Sequence, residues 1–426
     1  MPSPQKPRLA ARVLLAILIA VSTVHPLRAD TAEERRPILE TLEHIALRAK
    51  EAEKAVEKRL LSESLRLHFY GYIDASYTQN FNNPSNRINE LRIFDVNSNQ
   101  SRFNLAQFVL RRDAQAGDRL DRIGFKVKFN AGRDSAFIGG NNIGPWTDFQ
   151  EYYLQYLAPV GRGLDLKLGQ INSIVGYEVV ESRHNANYSR SWLFGLGQPF
   201  TTRGARATYE FDPRASLSVG VIEFINSSRA SSSHDPLVET ALTLTPSERV
   251  KLTLYGLAGP RSGAAGTDGG TILLAGGFAS FHLSDQLSAV VESYYANQPN
   301  SSTISSAKNA RWDGVAGYLL YDVNQQWGLR LRGEIFEDAG GFVSCGGTTS
   351  YQPRANVCFG ATSSASTPAV AQTLWEFTGT LQYKPVSALT TRLEYRYDKS
   401  NQNVFQAGGR ATSYQPTLSF EAIYAF

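Results

Sequence analysis

The sequence predicts an all-β transmembrane barrel of about sixteen antiparallel strands, with about 14 and about 18 as the neighbouring counts. Three observations carry that prediction. Side chains alternate with a period of two from residue 68 to the end of the chain, the mark of strands with unlike surroundings on their two faces. The connections are alternately short and long. The last strand stops on an aromatic residue, Phe426, after Leu418, Phe420, Ala422 and Tyr424 have fallen on one face. A membrane strand can end at an interfacial aromatic girdle in this way.

The chain begins with a segment that reads as a signal peptide. Residues 1–29 carry Lys6, Arg8, Arg12 and Arg28 and no acid, with an apolar run from Val13 to Val21. Leu27-Arg28-Ala29 offers a cleavage site with a small final residue. The apolar run is about half the ~20 residues that a helical span requires. Outside these residues the basic and acidic side chains balance at 39 each, so the formal charge of +4 belongs to the leader. No electrostatic footprint for nucleic acid remains. A hydrophobic fraction of 42% with a mean hydropathy of -0.27 excludes a helical membrane protein.

Residues 30–66 are expected to form a periplasmic helical segment. Ile38, Leu42, Ile45, Ala49, Ala52 and Val56 recur at coiled-coil spacing. Two alanines in a seam of about three heptads bury little area, which favours a surface-docked helix or an arm over an oligomerising one. A plug for the lumen is a further use of this helix.

From residue 67 to 426 the pattern predicts the barrel domain. Strands are expected near 68–79, 101–112, 121–131, 149–158, 163–172, 201–211, 215–226, 235–245, 249–259, 270–282, 286–297, 311–322, 326–337, 371–384, 387–398 and 413–426. Each is close to the length of a tilted membrane strand. Short connections such as Asp212-Pro213-Arg214, Pro246-Ser247-Glu248 and Leu283-Ser284-Asp285 use turn residues. The long connections 80–100, 132–148, 173–200, 338–370 and 399–412 are rich in Asn, Ser and Gly. An even strand number puts both barrel ends, and the C-terminus, on the periplasmic side.

The strand faces predict an inverted barrel. Leu329 and Leu331 alternate with Arg330, Arg332 and Glu334, and Leu393, Tyr395 and Tyr397 alternate with Arg392, Glu394, Arg396 and Asp398. Apolar residues then meet lipid while the charges face water. Lys126, Lys128, Lys167 and Arg206 join the lumen-facing candidates Arg330, Arg332, Glu334, Arg392, Glu394 and Arg396. This set leans basic and suggests a weak anion preference. About eight strands are filled by side chains, whereas sixteen leave an aqueous channel.

Several segments carry a resemblance: Gly71-Tyr72-Ile73-Asp74-Ala75-Ser76-Tyr77, Leu91-Arg92-Ile93-Phe94-Asp95 and Phe103-Asn104-Leu105-Ala106-Gln107. To these are added Gln150-Glu151-Tyr152-Tyr153-Leu154-Gln155-Tyr156-Leu157-Ala158-Pro159-Val160-Gly161, Gly176-Tyr177-Glu178-Val179-Val180-Glu181-Ser182 and Asn187-Tyr188-Ser189-Arg190-Ser191. In this order they resemble the OmpL-like putative β-barrel porin family of Gram-negative bacteria, over roughly residues 68–426. The resemblance implies an outer-membrane porin without catalytic residues. The helix at 32–65 and the cysteine loop are not part of that family pattern.

Segment 173–200, between the fifth and sixth strands, is the candidate constriction loop, by analogy with general porins. It supplies Glu178, Glu181, Arg183, His184 and Arg190, both signs at close spacing, as a charged constriction requires. The only cysteines, Cys345 and Cys358, are expected to close one local disulfide in an exported chain. Phe420, Tyr424 and Phe426 form a candidate assembly signal for the barrel-assembly machinery. The six histidines show no metal-ligand spacing, and no G-x-S-x-G or phosphate loop occurs. Neither catalysis nor a cofactor is therefore expected. The expected function is passive diffusion of small hydrophilic solutes or ions. The alternative is a non-conducting structural or adhesive barrel whose long loops bind a partner. Outer-membrane lipid, the assembly machinery, small solutes and a second copy of the chain are the expected partners.

Overall fold

The computed structural model describes residues 66–138, 141–144, 146–225, 236–262, 268–300, 309–345, 358–359 and 370–426. The expected leader and helical segment lie outside them, apart from Arg66.

The described residues form a closed antiparallel barrel of sixteen long strands. They are β1 (His68–Asn80), β2 (Gln100–Arg112), β3 (Ile123–Ala131), β5 (Thr147–Ala158), β6 (Leu164–Asn172), β7 (Thr201–Asp212), β8 (Ala215–Ile225) and β9 (Leu237–Ser247). The circuit continues through β10 (Val250–Ser262), β11 (Asp268–His282), β12 (Leu287–Gln298), β13 (Ala310–Asp322), β14 (Trp327–Asp338), β15 (Gln372–Val386), β16 (Leu389–Ser400) and β19 (Tyr414–Ala425). A short β4 (Asn141–Gly144) pairs with β5, and β17 (Phe405–Ala407) with β18 (Arg410–Thr412) makes a separate hairpin. Two short helices, α1 (Ser135–Ile138) and α2 (Trp192–Gly197), lie in the long connections. All sixteen expected strands are present.

Closure is made by the two ends of the barrel segment. β1 pairs with β19 from Tyr72↔Ala425 to Asn80↔Thr417. Gly71 N donates to Phe426 O at 2.9 Å, and Phe426 N donates to Gly71 O at 3.1 Å. Each of the sixteen long strands then has a partner on both sides, as lipid demands.

The alternation inverts inside and outside. On β14, Leu329 and Ile335 are exposed while Arg330, Arg332, Glu334, Phe336 and Asp338 are buried. On β16, Leu393, Tyr395 and Tyr397 are exposed between buried Arg392, Glu394, Arg396 and Asp398. On β19, Leu418, Phe420 and Tyr424 point outward, whereas Glu421 is fully buried. A continuous outer apolar band of this kind requires lipid around it.

The interior is uneven. On β8 to β13 the buried inner face is mainly apolar: Ile222, Leu237, Leu257, Ile272, Leu274 and Trp312 contribute to one cluster. On β14 to β16, β19 and β1 it is mainly polar. Two bulges interrupt the alternation. Between Lys128 and Phe129 the β3–β5 register shifts, and both Gln150 and Glu151 become buried. Between Asp74 and Ala75 the β1–β2 register shifts, and both Asn104 and Leu105 turn inward.

Candidate functional site

The long connection between β6 and β7 runs through the barrel interior. Its residues from Asn187 to Phe200 are buried throughout. The local sequence builds a compact plug. Ser191 has extended backbone geometry, and its Oγ accepts from Phe194 N at 3.1 Å, capping α2. The free amides of the first turn are met from the barrel wall: Trp192 N and Leu193 N donate to Glu334 at 2.7 and 2.6 Å. A carboxylate at this end also matches the helix dipole. At the far end Trp312 Nε1 donates to Gly197 O at 3.0 Å, and nearer the start Tyr294 Oη donates to Leu193 O at 2.8 Å. Glycine at 197 permits that approach, because a Cβ there would lie 1.8 Å from the Tyr294 hydroxyl.

Other wall charges hold the rest of the loop. Arg332, fully buried, pairs with Glu376 at 2.6 Å and Glu178 at 2.8 Å, and donates to Ser189 O at 2.7 Å. Glu178 also accepts from Ser191 N at 2.8 Å. Glu394 accepts from Tyr188 N and Ser189 N at 2.7 and 2.9 Å. Arg392 joins Glu421 at 2.8 Å to Asn185 O at 2.7 Å. Arg396 joins Asp398 at 2.7 Å to Arg190 O at 2.5 Å. Lys128 pairs with Glu151 at 2.5 Å and with Glu181 of the loop. Burial alone would raise the Glu181 carboxyl, but the Lys128 charge outweighs it and holds the group below its ordinary value.

Six lumen-facing candidates therefore touch the loop: Lys128, Arg332, Glu334, Arg392, Glu394 and Arg396. Arg206 pairs with Glu239 at 2.6 Å and donates to Asn172 O, just before the loop, at 3.0 Å. Lys126 pairs with Glu151 at 2.7 Å. Lys167 pairs with Asp165 at 3.2 Å, and Arg330 pairs with Asp322 beside the short turn between β13 and β14.

The loop's own charges differ in role. Arg190 acts inside the loop, donating to Tyr188 O at 2.6 Å and Val180 O at 2.9 Å. Arg183 lies over the rings of Tyr70 and Tyr72 at 5.3 and 5.8 Å, and His184 beside it is exposed. The expected picture of opposed charges lining an open gap is thus modified: most are paired with one another or with loop backbone. Among the described residues, the buried charged side chains number sixteen acidic and nine basic, which runs against the basic lean of the strand faces. Glu90, Asp95 and Asp134 in the loops, and Asp148 and Glu151 on β5, are among the acids that the sequence left uncounted.

Two more connections fold inward. Arg92 in the first long connection pairs with Asp398 at 2.7 Å and with Asp95. Cys345 and Cys358 form the expected disulfide and are buried in the apolar cluster with Trp312 and Phe342. Asp338 accepts from Phe342 N, Val343 N and Ser344 N at 2.8–3.0 Å and fixes the turn that leads to Cys345.

A wide inverted barrel narrowed by an inward-folded loop defines an outer-membrane barrel of the porin type. The chain belongs to the family described as putative beta-barrel porin-2, OmpL-like, whose profile matches residues 66–426. Among solved structures it is similar to the outer membrane channel DcaP of Acinetobacter baumannii, at 14% identity and a TM-score of 0.54, over 84% of this chain and 97% of that one. It is also similar to Pseudomonas putida OprB, at 11% identity and 0.56, over 87% and 96%. An anion-selective porin from Comamonas acidovorans matches at 8% identity and 0.53, over 84% and 99%. At these identities the likeness concerns the fold. No curated protein sequence matches the chain.

Proposed function

We propose that this barrel is a passive diffusion channel for small hydrophilic solutes or ions. The observation that carries the proposal is the inward loop, narrowing a barrel of sixteen strands that side chains alone would not fill. Toward the short-turn end the inner face becomes polar. Thr208 pairs with Ser218 there at 2.8 Å. A cavity of about 420 Å³ is lined there by Asp285, Gln286, Asp322, Gln326, Gln382 and Lys384. Transport needs no covalent step, only steric sieving and the charge of the narrow zone. The short-turn end and the C-terminus are assigned to the periplasm, by the loop asymmetry of such barrels.

A second function has its own supporting observation. The buried apolar cluster joins Leu91, Trp192, Val343 and Phe405 from four connections to the β8–β13 wall, which suits a closed, non-conducting barrel. Planar-bilayer recording of purified, refolded protein decides between them. Steady openings support the channel; silence at every voltage supports the closed barrel. Phe420, Tyr424 and Phe426, all exposed on β19 or at its end, are proposed as the assembly signal. Deleting Phe426 should lower folded yield in membranes far more than the conductance of barrels that still form.

A further inference from the structure

One seam between the loop and the wall is incompletely bonded. On the paired strands β1, β19 and β16, four buried atoms have no hydrogen-bond partner: Tyr72 Oη, Asp74 Oδ2, Glu421 Oε1 and Arg392 Nε. They are close in register. Asp74 opposes Ile423, Ser76 opposes Glu421, and Arg392 opposes Glu421. Segment 182–185 covers them, with Arg392 donating to Ser182 O at 3.2 Å and Asn185 O at 2.7 Å. The Ser182 hydroxyl of the loop is the neighbour of Asp74 at this point. Each orphaned buried group has lost its water without gaining a partner, which destabilises the closed contact. The loop is therefore loosely seated here, and a small movement that admits water relieves the defect. Across the lumen the end of α2 meets Leu257, Ile272, Leu274 and Trp312 in a dry contact whose residual space is only about 10 Å³. Wetting that side would expose apolar surface.

We propose that solutes cross along this seam, and that Asp74 and Glu421 make the crossing cation-selective. Two carboxylate oxygens and a phenol oxygen are the acceptors that opening would present. Of the nearby guanidiniums, Arg190 is committed to Val179, Val180 and Tyr188 carbonyls, Arg392 is paired with Glu421 at 2.8 Å, and Arg183 lies over the Tyr70 and Tyr72 rings. Arg102 is committed to Asp134 at 2.7 Å. The permeant class is a small hydrated cation or a solute with a cationic group.

This proposal rests on the channel function and is tested so that the two can fail separately. Reversal potentials are measured in a KCl gradient for the full chain and for Asp74→Asn with Glu421→Gln. The parent protein should reverse on the cation side and the double variant should shift toward zero. An unchanged potential, or anion-side reversal in the parent, overturns the selectivity assignment. If the parent carries no current, the channel function fails. The route is then decided by labelling folded Ser76→Cys and Leu257→Cys proteins with a small cationic methanethiosulfonate. The native cysteines are disulfide-bonded and leave the introduced thiol as the target. Faster labelling at 76 supports the seam; equal or faster labelling at 257 overturns it. Heat-modifiable migration on gels confirms that each variant is folded.

Discussion

The two walls of this barrel hold the same loop by different physics. Strands β14 to β16 grip it with charge-assisted hydrogen bonds from Arg332, Glu334, Arg392, Glu394 and Arg396. Strands β10 to β13 meet it with Leu257, Ile272, Leu274 and Trp312. The first contact is directional and fixes where each backbone amide lies. The second is tolerant of small shifts and depends on area removed from water. A loop held in this way has a defined position and one side from which it can be prised.

The largest effect belongs to Arg332. It is enclosed between Glu178 and Glu376 and has no exposed side-chain surface. Arg332→Ala leaves buried Glu178 without its cation and Glu376 with only the longer 3.5 Å pair to Arg396, at a cost of about 3–5 kcal/mol. The barrel strands should persist while the loop loosens. Amide exchange at Ser189, Trp192 and Leu193 should accelerate, and currents should become larger and noisier. Retained protection at these amides would show that the polar wall is not the latch. Next in size is Leu257→Ala on the opposite wall, expected to cost about 2–5 kcal/mol by loss of buried apolar volume. Here the same amides should exchange faster, but the reversal potential should not move, because no charge has changed. A shift in selectivity would remove the distinction between the walls.

Much of the barrel was legible in the sequence, because lipid outside and water or protein inside impose a period of two on every strand. β14, expected at 326–337, spans Trp327–Asp338, and Glu421 faces inward as its position against Phe420 required. The loop's inward path was legible only by its place between the fifth and sixth strands. Its anchors were not. Glu334 caps a helix whose first residue is 142 positions earlier in the chain, and no local pattern connects the two. The charge balance failed for a different reason. Faces were assigned by strict alternation, and a one-residue bulge flips that assignment. Past the β3–β5 bulge, Glu151 turns inward beside Gln150. Acids in inward-folded loops, such as Glu90 and Asp134, carry no periodic signature at all.

A third comparison sets two loop carboxylates against each other. Glu181 is held below the ordinary range by Lys128, so its contribution to the closed loop is present above that range. It is lost only as pH falls through the depressed value. Glu90 behaves oppositely. Burial pushes it up to about 7, with Asn86 Nδ2 as a neutral donor at 3.0 Å. Between the unfolded value and about 7 the folded state binds the extra proton, so stability of the 86–98 segment should fall as pH rises through that window. Protection factors for this segment at about pH 5 and about pH 8 measure it. Glu90→Gln should flatten the dependence, and an unaltered slope would place its origin elsewhere.

The smallest effect is expected at Lys126, the most accessible cation of the group around Glu151. Its side chain is 18% exposed and its pair with Glu151 spans 2.7 Å. Lys128, nearly enclosed, holds the same carboxylate at 2.5 Å and also reaches Glu181. Losing Lys126 therefore leaves Glu151 compensated, and the cost should stay near the ~1 kcal/mol or less of a solvent-screened pair. Loop amide protection in Lys126→Ala should match the parent, with at most a small change in reversal potential. Lys128→Ala should instead loosen the loop as Arg332→Ala does, because buried Glu181 loses its cation while Glu151 keeps only Lys126 at 2.7 Å. If the two lysine variants behave alike, burial is not what separates a latch from an ordinary lumen charge, and the contrast between the walls would have to rest on the loop's backbone contacts alone.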